Sequence, residues 1–194
     1  MTNSEIILYP TESVYGLGVN PFDAGALEQL YELKGRVGDK PVSWLVRSVA
    51  DIERYAIVDD TARKLAERFL PGPLTLVLTL RPMYQQFGAS DGTIGFRIST
   101  DPVAKKLIAD WFVKYDAPLT ATSANVSGLL TQSTVPEVLA QFGDRSGLIT
   151  TVVDDGIRSG LPSTVVRVHD DGIVTVLRES AISASDIAEA YKMK

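Results

Sequence analysis

The sequence predicts an α/β or α+β protein built on a mixed, twisted, open sheet with flanking helices. Two observations lead to this fold class. Short β-rich runs, such as Leu74–Leu80 and Thr93–Ile98, occur among segments with helical periodicity, and the alternation is incomplete, so some strands follow one another directly. No repeat, low-complexity tract or linker interrupts the 194 residues, which predicts one domain over residues 1–194.

The predicted strands begin with an apolar run at Glu5–Tyr9, which Pro10 ends. A loop over Pro10–Gly18 follows, and its glycines allow close approach to the backbone. Further strands are predicted over residues 42–46, 74–80, 93–98, 119–122, 148–153, 164–168 and 173–177. An Asp-Gly turn joins the last two as a hairpin.

Helices are predicted where a capping residue precedes an amphipathic stretch. They cover residues 24–34 after Asp23, a short stretch after Ser48, 61–69 after Asp60, 102 to about 114 after Asp101, 136–142 from Pro136, and a last helix after Ser183. In the first helix Lys34 shares a face with Leu27 and Leu30, so it lies at the end of the apolar stripe.

Composition limits the function classes. The net charge is −5 and the pI about 4.9, which favours a small anionic ligand over autonomous binding of a long polyanion. The chain has no cysteine and one histidine, so disulfides, thiol catalysis and multi-histidine metal sites are excluded, and we predict no metal ligands. No apolar run approaches the roughly 18 residues of a membrane span, and no basic-then-apolar leader is seen, which fits a cytoplasmic protein without membrane contact.

A cluster of cations surrounds the end of the first helix. Lys34-Gly35-Arg36 and Lys40 fall within seven residues, and glycines between them permit sharp turns. One reading is a solvated loop in which Lys34 extends to water and complements the helix dipole. The other is a phosphate clamp, since arginine offers a planar fork and lysine a point charge.

Three further segments carry candidate ligand groups. Small polar residues from Thr120 to Gly128 follow a short strand, and this pattern is typical of a turn or of a ligand loop at a strand end. The segment 10–18 has the same character, with Tyr15 as either a core or a site residue. Arg97 interrupts an apolar strand and pairs either with an internal acid or with a ligand carboxylate.

Together these segments resemble the YrdC/Sua5 family, the threonylcarbamoyl-AMP synthases. The matching segments occur in the family's order over nearly the whole chain: residues 10–18, Lys34-Gly35-Arg36 with Lys40-Pro41, Pro71-Gly72-Pro73-Leu74-Thr75, Gly95-Phe96-Arg97, residues 118–128 and Ser163-Thr164-Val165. The resemblance implies the short, single-domain form. It implies formation of threonylcarbamoyl-AMP and pyrophosphate from L-threonine, bicarbonate and ATP, for modification of adenosine 37 of tRNA.

The resemblance also implies roles for individual residues. The signature set of the family, expected to be catalytic and to bind the ATP phosphates, is Lys34, Arg36, Ser123 and Asn125. Further nucleotide contacts are expected from Lys40, Thr93, Ala121, Ser133 and Arg178. The residues expected around L-threonine are Thr11, Tyr15, Arg97 and Ser163.

ATP is expected as a substrate, accompanied by Mg2+ that phosphates and water hold. Proteins that transfer the threonylcarbamoyl group to tRNA are the implied partners, with a weak contact to tRNA itself. The chain departs from the family pattern at several places. The first strand begins almost at Met1, where the family has a preceding helix, and Glu179-Ser180 follows Arg178 where Pro-Gly is usual. Val37 and Ser13 are milder departures.

Two alternatives remain open at this point. A paralogue with the same fold could bind RNA or nucleotide without this activity, although a pure binder has no need of the full signature set. A carbamoyl-transfer module of hydrogenase-maturation proteins is disfavoured because zinc-finger cysteines and flanking domains are absent from the sequence. Dependence of the reaction on threonine separates the enzyme from both.

Overall fold

The computed structural model describes residues 5–36 and 41–192, in which strands and helices are mixed. The strands are β1 (Ile7–Tyr9), β2 (Gly16–Gly18), β3 (Ser43–Leu45), β4 (Leu74–Thr79), β5 (Thr93–Arg97), β6 (Leu119–Ser123), β7 (Thr151–Val152), β8 (Thr164–Val168) and β9 (Val174–Arg178). The helices are α1 (Ala24–Lys34), α2 (Val49–Tyr55), α3 (Asp60–Phe69), α4 (Pro102–Tyr115), α5 (Val135–Phe142) and α6 (Ala184–Lys192). Short 3-10 helices cover Pro82–Phe87 and Gly143–Leu148. The predicted mixture of strands and helices is therefore confirmed.

Packing divides the described residues into two compact units, 5–36 with 101–160 and 41–100 with 161–192. In the first unit the strand order is β7-β1-β2-β6, with β1 parallel to β7 and β2 antiparallel to β1 and β6. In the second the order is β3-β5-β4-β8-β9, and parallel and antiparallel pairs alternate along it. The sheet of each unit is thus mixed, as predicted. One domain over residues 1–194 stays a prediction.

Strand β2 lies in the segment predicted as a loop. Gly16 pairs with Tyr9 and Leu17 with Thr122, so β2 is hydrogen-bonded on both sides. A Cβ on Gly16 would lie 2.9 Å from Tyr9 Cζ. The group that approaches the Gly16 backbone closely is therefore the buried Tyr9 ring, which packs where a side chain would lie. The loop prediction was wrong for residues 16–18, because pairing imposes a strand on a Gly-Leu-Gly sequence with little β-propensity of its own.

The predicted helix caps are formed in most places. Asp23 accepts a hydrogen bond from the Ala26 amide at 3.0 Å, and Asp101 accepts two at 2.9 Å from the amides at the start of α4. Two helix starts differ by one residue. Asp59, not Asp60, caps α3, and α5 begins at Val135, before Pro136. The strand predicted over 148–153 is shorter because a 3-10 helix runs to Leu148.

The core of each unit determines where its polar residues emerge. In the first unit, β6 changes from fully buried Leu119 and Thr120 to half-buried residues at Ala121–Ser123. In the second, Trp44 packs edge-to-face against Tyr55 and Phe96, with ring centroids 5.5 and 5.7 Å apart. Phe96 directly precedes Arg97, so the core holds the end of β5 from which that arginine extends.

Among the described residues, none of the helices is both long and apolar enough to cross a membrane.

Candidate active site

Lys34 is the last residue of α1, and its side chain turns inward. Only 3% of the residue is exposed. Its Nζ donates hydrogen bonds to the carbonyl oxygens of Ser123 at 2.5 Å and Asn125 at 2.8 Å, and it lies 3.5 Å from Asn125 Oδ1. The alternative in which Lys34 extends to solvent is therefore wrong. The ammonium instead binds the loop after β6, 89 residues away in sequence.

The turn that ends α1 places Lys34 for this contact. Gly35 adopts the left-handed conformation (φ 59°, ψ 33°), and its amide donates to the Glu32 carbonyl at 3.0 Å. The Lys34 carbonyl accepts a hydrogen bond of 2.8 Å from the Ser127 amide. Backbone and side chain of Lys34 thus both bind the same loop, which fixes the end of the helix against residues 123–127.

That loop, residues 123–130, is also held by its own side chains. The Ser123 hydroxyl donates to Asn125 Oδ1 at 2.6 Å. The Asn125 amide group donates to the carbonyls of Val126 at 3.1 Å and Leu129 at 2.6 Å. Gln141 of α5 accepts from the Val126 amide at 2.9 Å. Ser123 and Asn125, predicted as site residues from their types, are therefore brought together with Lys34. We call these three residues the Lys34 cluster.

The Lys34 cluster is electropositive. Burial, and secondarily the neighbouring Arg36 guanidinium, lower the pKa of Lys34 from 10.5 to about 8. Arg36 is half-buried, and its guanidinium lies 5.7 Å from the centre of the Tyr31 ring. Two cations that repel each other form a site where an anion would relieve the repulsion. This pair of charges is what the phosphate-clamp hypothesis requires.

Tyr15 is buried and fixes the loop that follows β7. Its hydroxyl has two acceptors within hydrogen-bonding distance, Asp154 Oδ1 at 3.0 Å and the Gly156 carbonyl at 2.7 Å. It accepts a hydrogen bond from the Asp155 amide at 3.1 Å. Burial and the Asp154 carboxylate raise its pKa, while the Asp155 amide opposes the shift. The carbonyl of Tyr15 accepts from the Ala124 amide at 2.8 Å, which connects Tyr15 to the loop of the Lys34 cluster.

The Thr11 hydroxyl is used within its own turn. It donates to the Val14 carbonyl at 2.6 Å and accepts from the amides of Ser13 and Val14, both at 3.2 Å. This is a local turn held by a threonine side chain. The turn shapes the segment that leads into Tyr15. A direct contact of Thr11 with threonine stays a prediction.

The other first-unit candidates lie on the same elements. Ala121 is half-buried in β6, two residues before Ser123. Ser133 lies just before α5, and its carbonyl accepts a hydrogen bond of 2.8 Å from the Arg158 amide. Their predicted nucleotide contacts stay predictions.

In the second unit, Arg97 and Arg178 are brought close enough to affect each other. Burial, and next the charge of Arg97, lower the pKa of Arg178. Arg178 donates to the Ser163 carbonyl from Nη2 at 2.7 Å and from Nε at 3.2 Å. Its Nη2 also lies 3.3 Å from Ser163 Oγ. Arg97, Ser163 and Arg178 therefore form one polar group, here called the arginine pair site.

Thr93 is not part of the arginine pair site. It begins β5 and Arg97 ends it, so about 13 Å of extended strand separates them at roughly 3.3 Å per residue. The Thr93 hydroxyl donates to Asp91 Oδ1 at 2.8 Å. The structure thus gives Thr93 a turn-capping contact. Its predicted contact with the nucleotide stays a prediction.

Lys40, predicted to bind ATP, lies outside the described residues. Within the described part of the chain, no group of three or more His, Cys, Asp or Glu side chains is arranged to hold a metal ion.

Sequence reasoning missed several residues that support these sites. Gln141 binds the 123–130 loop at two places, accepting from the Val126 amide and donating to the Leu130 carbonyl at 2.9 Å. Thr75 Oγ1 lies 2.7 Å from Ser163 Oγ. Asp154 binds Tyr15. Thr75 lies in the Pro-Gly-Pro-Leu-Thr segment that carries the resemblance, which was its only signal. Gln141 and Asp154 had none, because their partners are distant in sequence.

The family is decided by comparison with known proteins. A family model described as Sua5, YciO and YrdC, telomere recombination, matches residues 1–180. The chain belongs to the Sua5/YciO/YrdC family. The family resemblance stated from the motifs is therefore confirmed.

Relatives in the family are about one third identical to this chain over the aligned residues. A proposed threonylcarbamoyl-AMP synthase of Methanocaldococcus jannaschii is 35% identical over 187 residues, which are 96% of this chain and 84% of the relative. The Bacillus subtilis threonylcarbamoyl-AMP synthase is 34% identical over 96% of this chain and 53% of its own length. The chain thus spans about half of the longer relative.

A solved structure supports the fold. Pyrococcus abyssi Sua5 in complex with L-threonine matches with a TM-score of 0.81 and 31% identity, over 96% of this chain and 53% of that one. The twisted, mixed α/β fold with flanking helices that the resemblance implied is confirmed.

Proposed function

We propose that this chain is a threonylcarbamoyl-AMP synthase. It condenses L-threonine, bicarbonate and ATP, and it releases pyrophosphate and water. The observation that carries the proposal is the Lys34 cluster beside Arg36, in a chain of the Sua5/YciO/YrdC family whose relatives are named for this activity. A bound L-threonine in the related P. abyssi Sua5 supports threonine as the acceptor of the carbamoyl unit.

The first-unit residues are proposed to stabilise charge on ATP. A carbamate oxygen attacks the α-phosphorus, the bond to the β-phosphate oxygen breaks, and pyrophosphate leaves with the bonding electrons. Negative charge grows on the phosphate oxygens during this step, and Arg36 offers a fork of donors to it. Lys34 adds a second charge and, through its bonds to two loop carbonyls, keeps Ser123 and Asn125 in place. No covalent bond to the enzyme is needed.

The second-unit residues are proposed to bind further anionic groups. The arginine pair site presents two guanidinium groups and the hydroxyl of Ser163. A carboxylate suits the arginine fork, so we assign Arg97 and Ser163 to the carboxylate side of threonine and Arg178 to the nucleotide. As the family resemblance implies, Thr11 and Tyr15 are also proposed as threonine contacts.

The product is proposed to serve tRNA modification. Threonylcarbamoyl-AMP is a mixed anhydride, so other proteins can transfer its acyl group to adenosine 37 of tRNA. The net charge of −5 favours a weak tRNA contact over tight binding. We propose a cytoplasmic location, because the reaction uses ATP and its product serves tRNA, and we propose that Mg2+ is held by the ATP phosphates and water.

The test is pyrophosphate release from ATP and bicarbonate, with and without L-threonine, followed by mass spectrometry of the product. We expect threonine-dependent release and a mass matching threonylcarbamoyl-AMP. Bound ATP without threonine-dependent release would instead indicate a paralogue that binds nucleotide or RNA.

A matched pair of lysine variants makes the assay specific to the site. Lys34→Met is expected to abolish release. Lys106→Met is expected to retain it, because Lys106 is three-quarters exposed on α4, where it pairs with Asp110 at 2.8 Å. Equal activity of both variants would contradict the role of Lys34.

A further inference from the structure

Thr75 is a buried polar residue of the second unit that lies beside Ser163. It is the second residue of β4, the strand between β5 and β8, and 3% of it is exposed. It pairs in register with Val165, which in turn pairs with Arg178. Thr75 therefore lies on β4, between β5, which carries Arg97, and β8, which begins directly after Ser163.

The Thr75 hydroxyl contacts the arginine pair site through Ser163. Thr75 Oγ1 lies 2.7 Å from Ser163 Oγ, and Ser163 is as deeply buried as Thr75. Ser163 Oγ also lies 3.3 Å from Arg178 Nη2, which can only donate. Both neighbours lie within hydrogen-bonding distance of the Ser163 hydroxyl, so its orientation depends on both.

The Thr75 methyl group fills the space above Gly95. A Cβ built on Gly95 would lie 2.8 Å from Thr75 Cγ2 and 2.6 Å from Ser43 Oγ. Gly95 and Arg97 lie on the same face of β5, because side chains alternate along a strand. The two branches of Thr75 thus face different parts of the site, the hydroxyl toward Ser163 and the methyl toward the strand of Arg97.

We propose that Thr75 is a positioning residue for threonine recognition, acting through the Ser163 hydroxyl. This inference rests on the proposed function, in which Ser163 contacts L-threonine. Thr75 holds Ser163 Oγ in the rotamer that faces the substrate before binding. Without the Thr75 hydroxyl, Ser163 rotates among its rotamers, and each binding event must restore the productive one.

Two conservative variants separate the hydroxyl from the methyl. Thr75→Val keeps the shape and removes the hydroxyl, whereas Thr75→Ser keeps the hydroxyl and removes the methyl. We expect Thr75→Val to raise the KM for L-threonine about 5-fold, the typical weight of one net hydrogen bond, with the KM for ATP changed less than about 2-fold. Thr75→Ser is expected within about 2-fold of wild type for both substrates. Equal effects of the two variants, or equal changes in both KM values, would overturn the inference.

The double variant tests whether Thr75 acts through Ser163. If it does, Thr75→Val has no further effect on the KM for L-threonine once Ser163→Ala is present. Independent, multiplicative effects would overturn the proposal. Thermal denaturation of every variant shows which of them are folded. If Thr75→Val does not fold, a KM for L-threonine in Thr75→Ser that departs from wild type by more than about 2-fold still overturns the inference.

Crystal structures of the two Thr75 variants give a readout that does not need activity. We expect Ser163 to leave its rotamer in Thr75→Val and to keep it in Thr75→Ser. An unchanged Ser163 in Thr75→Val would refute the positioning role even if catalysis is confirmed. Conversely, wild-type protein that forms no threonylcarbamoyl-AMP would refute the proposed function and leave this structural outcome to be judged separately.

Discussion

The buried charge of Lys34 makes a quantitative prediction about stability. Its pKa falls from 10.5 to about 8 on folding, chiefly through burial. At 1.36 kcal/mol per pKa unit, this shift costs the folded state about 3 kcal/mol while the lysine is charged in both states. Lys34→Met removes that cost, but it also removes the donor that the carbonyls of Ser123 and Asn125 share. Each lost bond costs about 1–3 kcal/mol, so near pH 7 the two effects roughly cancel.

The pH dependence separates the two effects. Because the folded pKa is depressed, the penalty is fully present below pH 8, shrinks as the pH rises, and is gone above pH 10.5, where the unfolded chain is also neutral. The free energy of unfolding of wild type, minus that of Lys34→Met, should therefore rise by about 3 kcal/mol from pH 7.5 to 10.5. Urea denaturation at several pH values measures it, and other titrating groups cancel in the difference.

A flat difference would refute the reasoning, since it would mean that Lys34 keeps its ordinary pKa in the folded protein. The Lys106→Met variant is the control. Its side chain is exposed, so its difference from wild type should stay within about 0.5 kcal/mol at every pH.

Three further predictions follow from single contacts. Arg36→Gln should raise the pKa of Lys34 above about 8, because it removes the repulsion and leaves burial as the remaining cause; NMR titration of the Lys34 side chain measures it, and an unchanged midpoint would contradict it. Gly95→Ala should destabilise the fold by about 1–3 kcal/mol, since its Cβ would lie 2.6 Å from a hydroxyl oxygen of β3; a neutral result in urea denaturation would mean that β3 and β4 yield freely. Tyr15→Phe should lower stability by about 1–3 kcal/mol, because the hydroxyl binds Asp154 and two backbone groups; thermal denaturation at wild-type values would show that the loop after β7 does not depend on Tyr15.

Local sequence was enough to predict most elements of secondary structure. The cap at Asp23 and the apolar stripe of α1 predicted that helix from Ala24 to Lys34, with the same ends as in the structure. The hairpin of β8 and β9 followed from its Asp-Gly turn, in which Gly172 has a φ of 79°. These features depend on residues within a few positions of each other, so their physical causes are present in the sequence itself.

The chemistry of the candidate sites was also visible in residue types. Cations around Gly35 and small polar residues around Ser123 predicted ligand-binding segments, and their order predicted the family. Whether Lys34 extends to water or binds the 123–130 loop was left open, because the sequence at one helix end is compatible with either arrangement.

Tertiary structure alone decided which residues meet. Strand β2 exists because β1 and β6 pair with it, and Lys34 is buried because Ser123, 89 residues away, supplies a carbonyl acceptor. Thr75 and Ser163 meet across 88 residues. The physical reason is that local propensity depends on neighbours along the chain, whereas burial, pKa and hydrogen-bond geometry depend on neighbours in space that a single sequence does not specify.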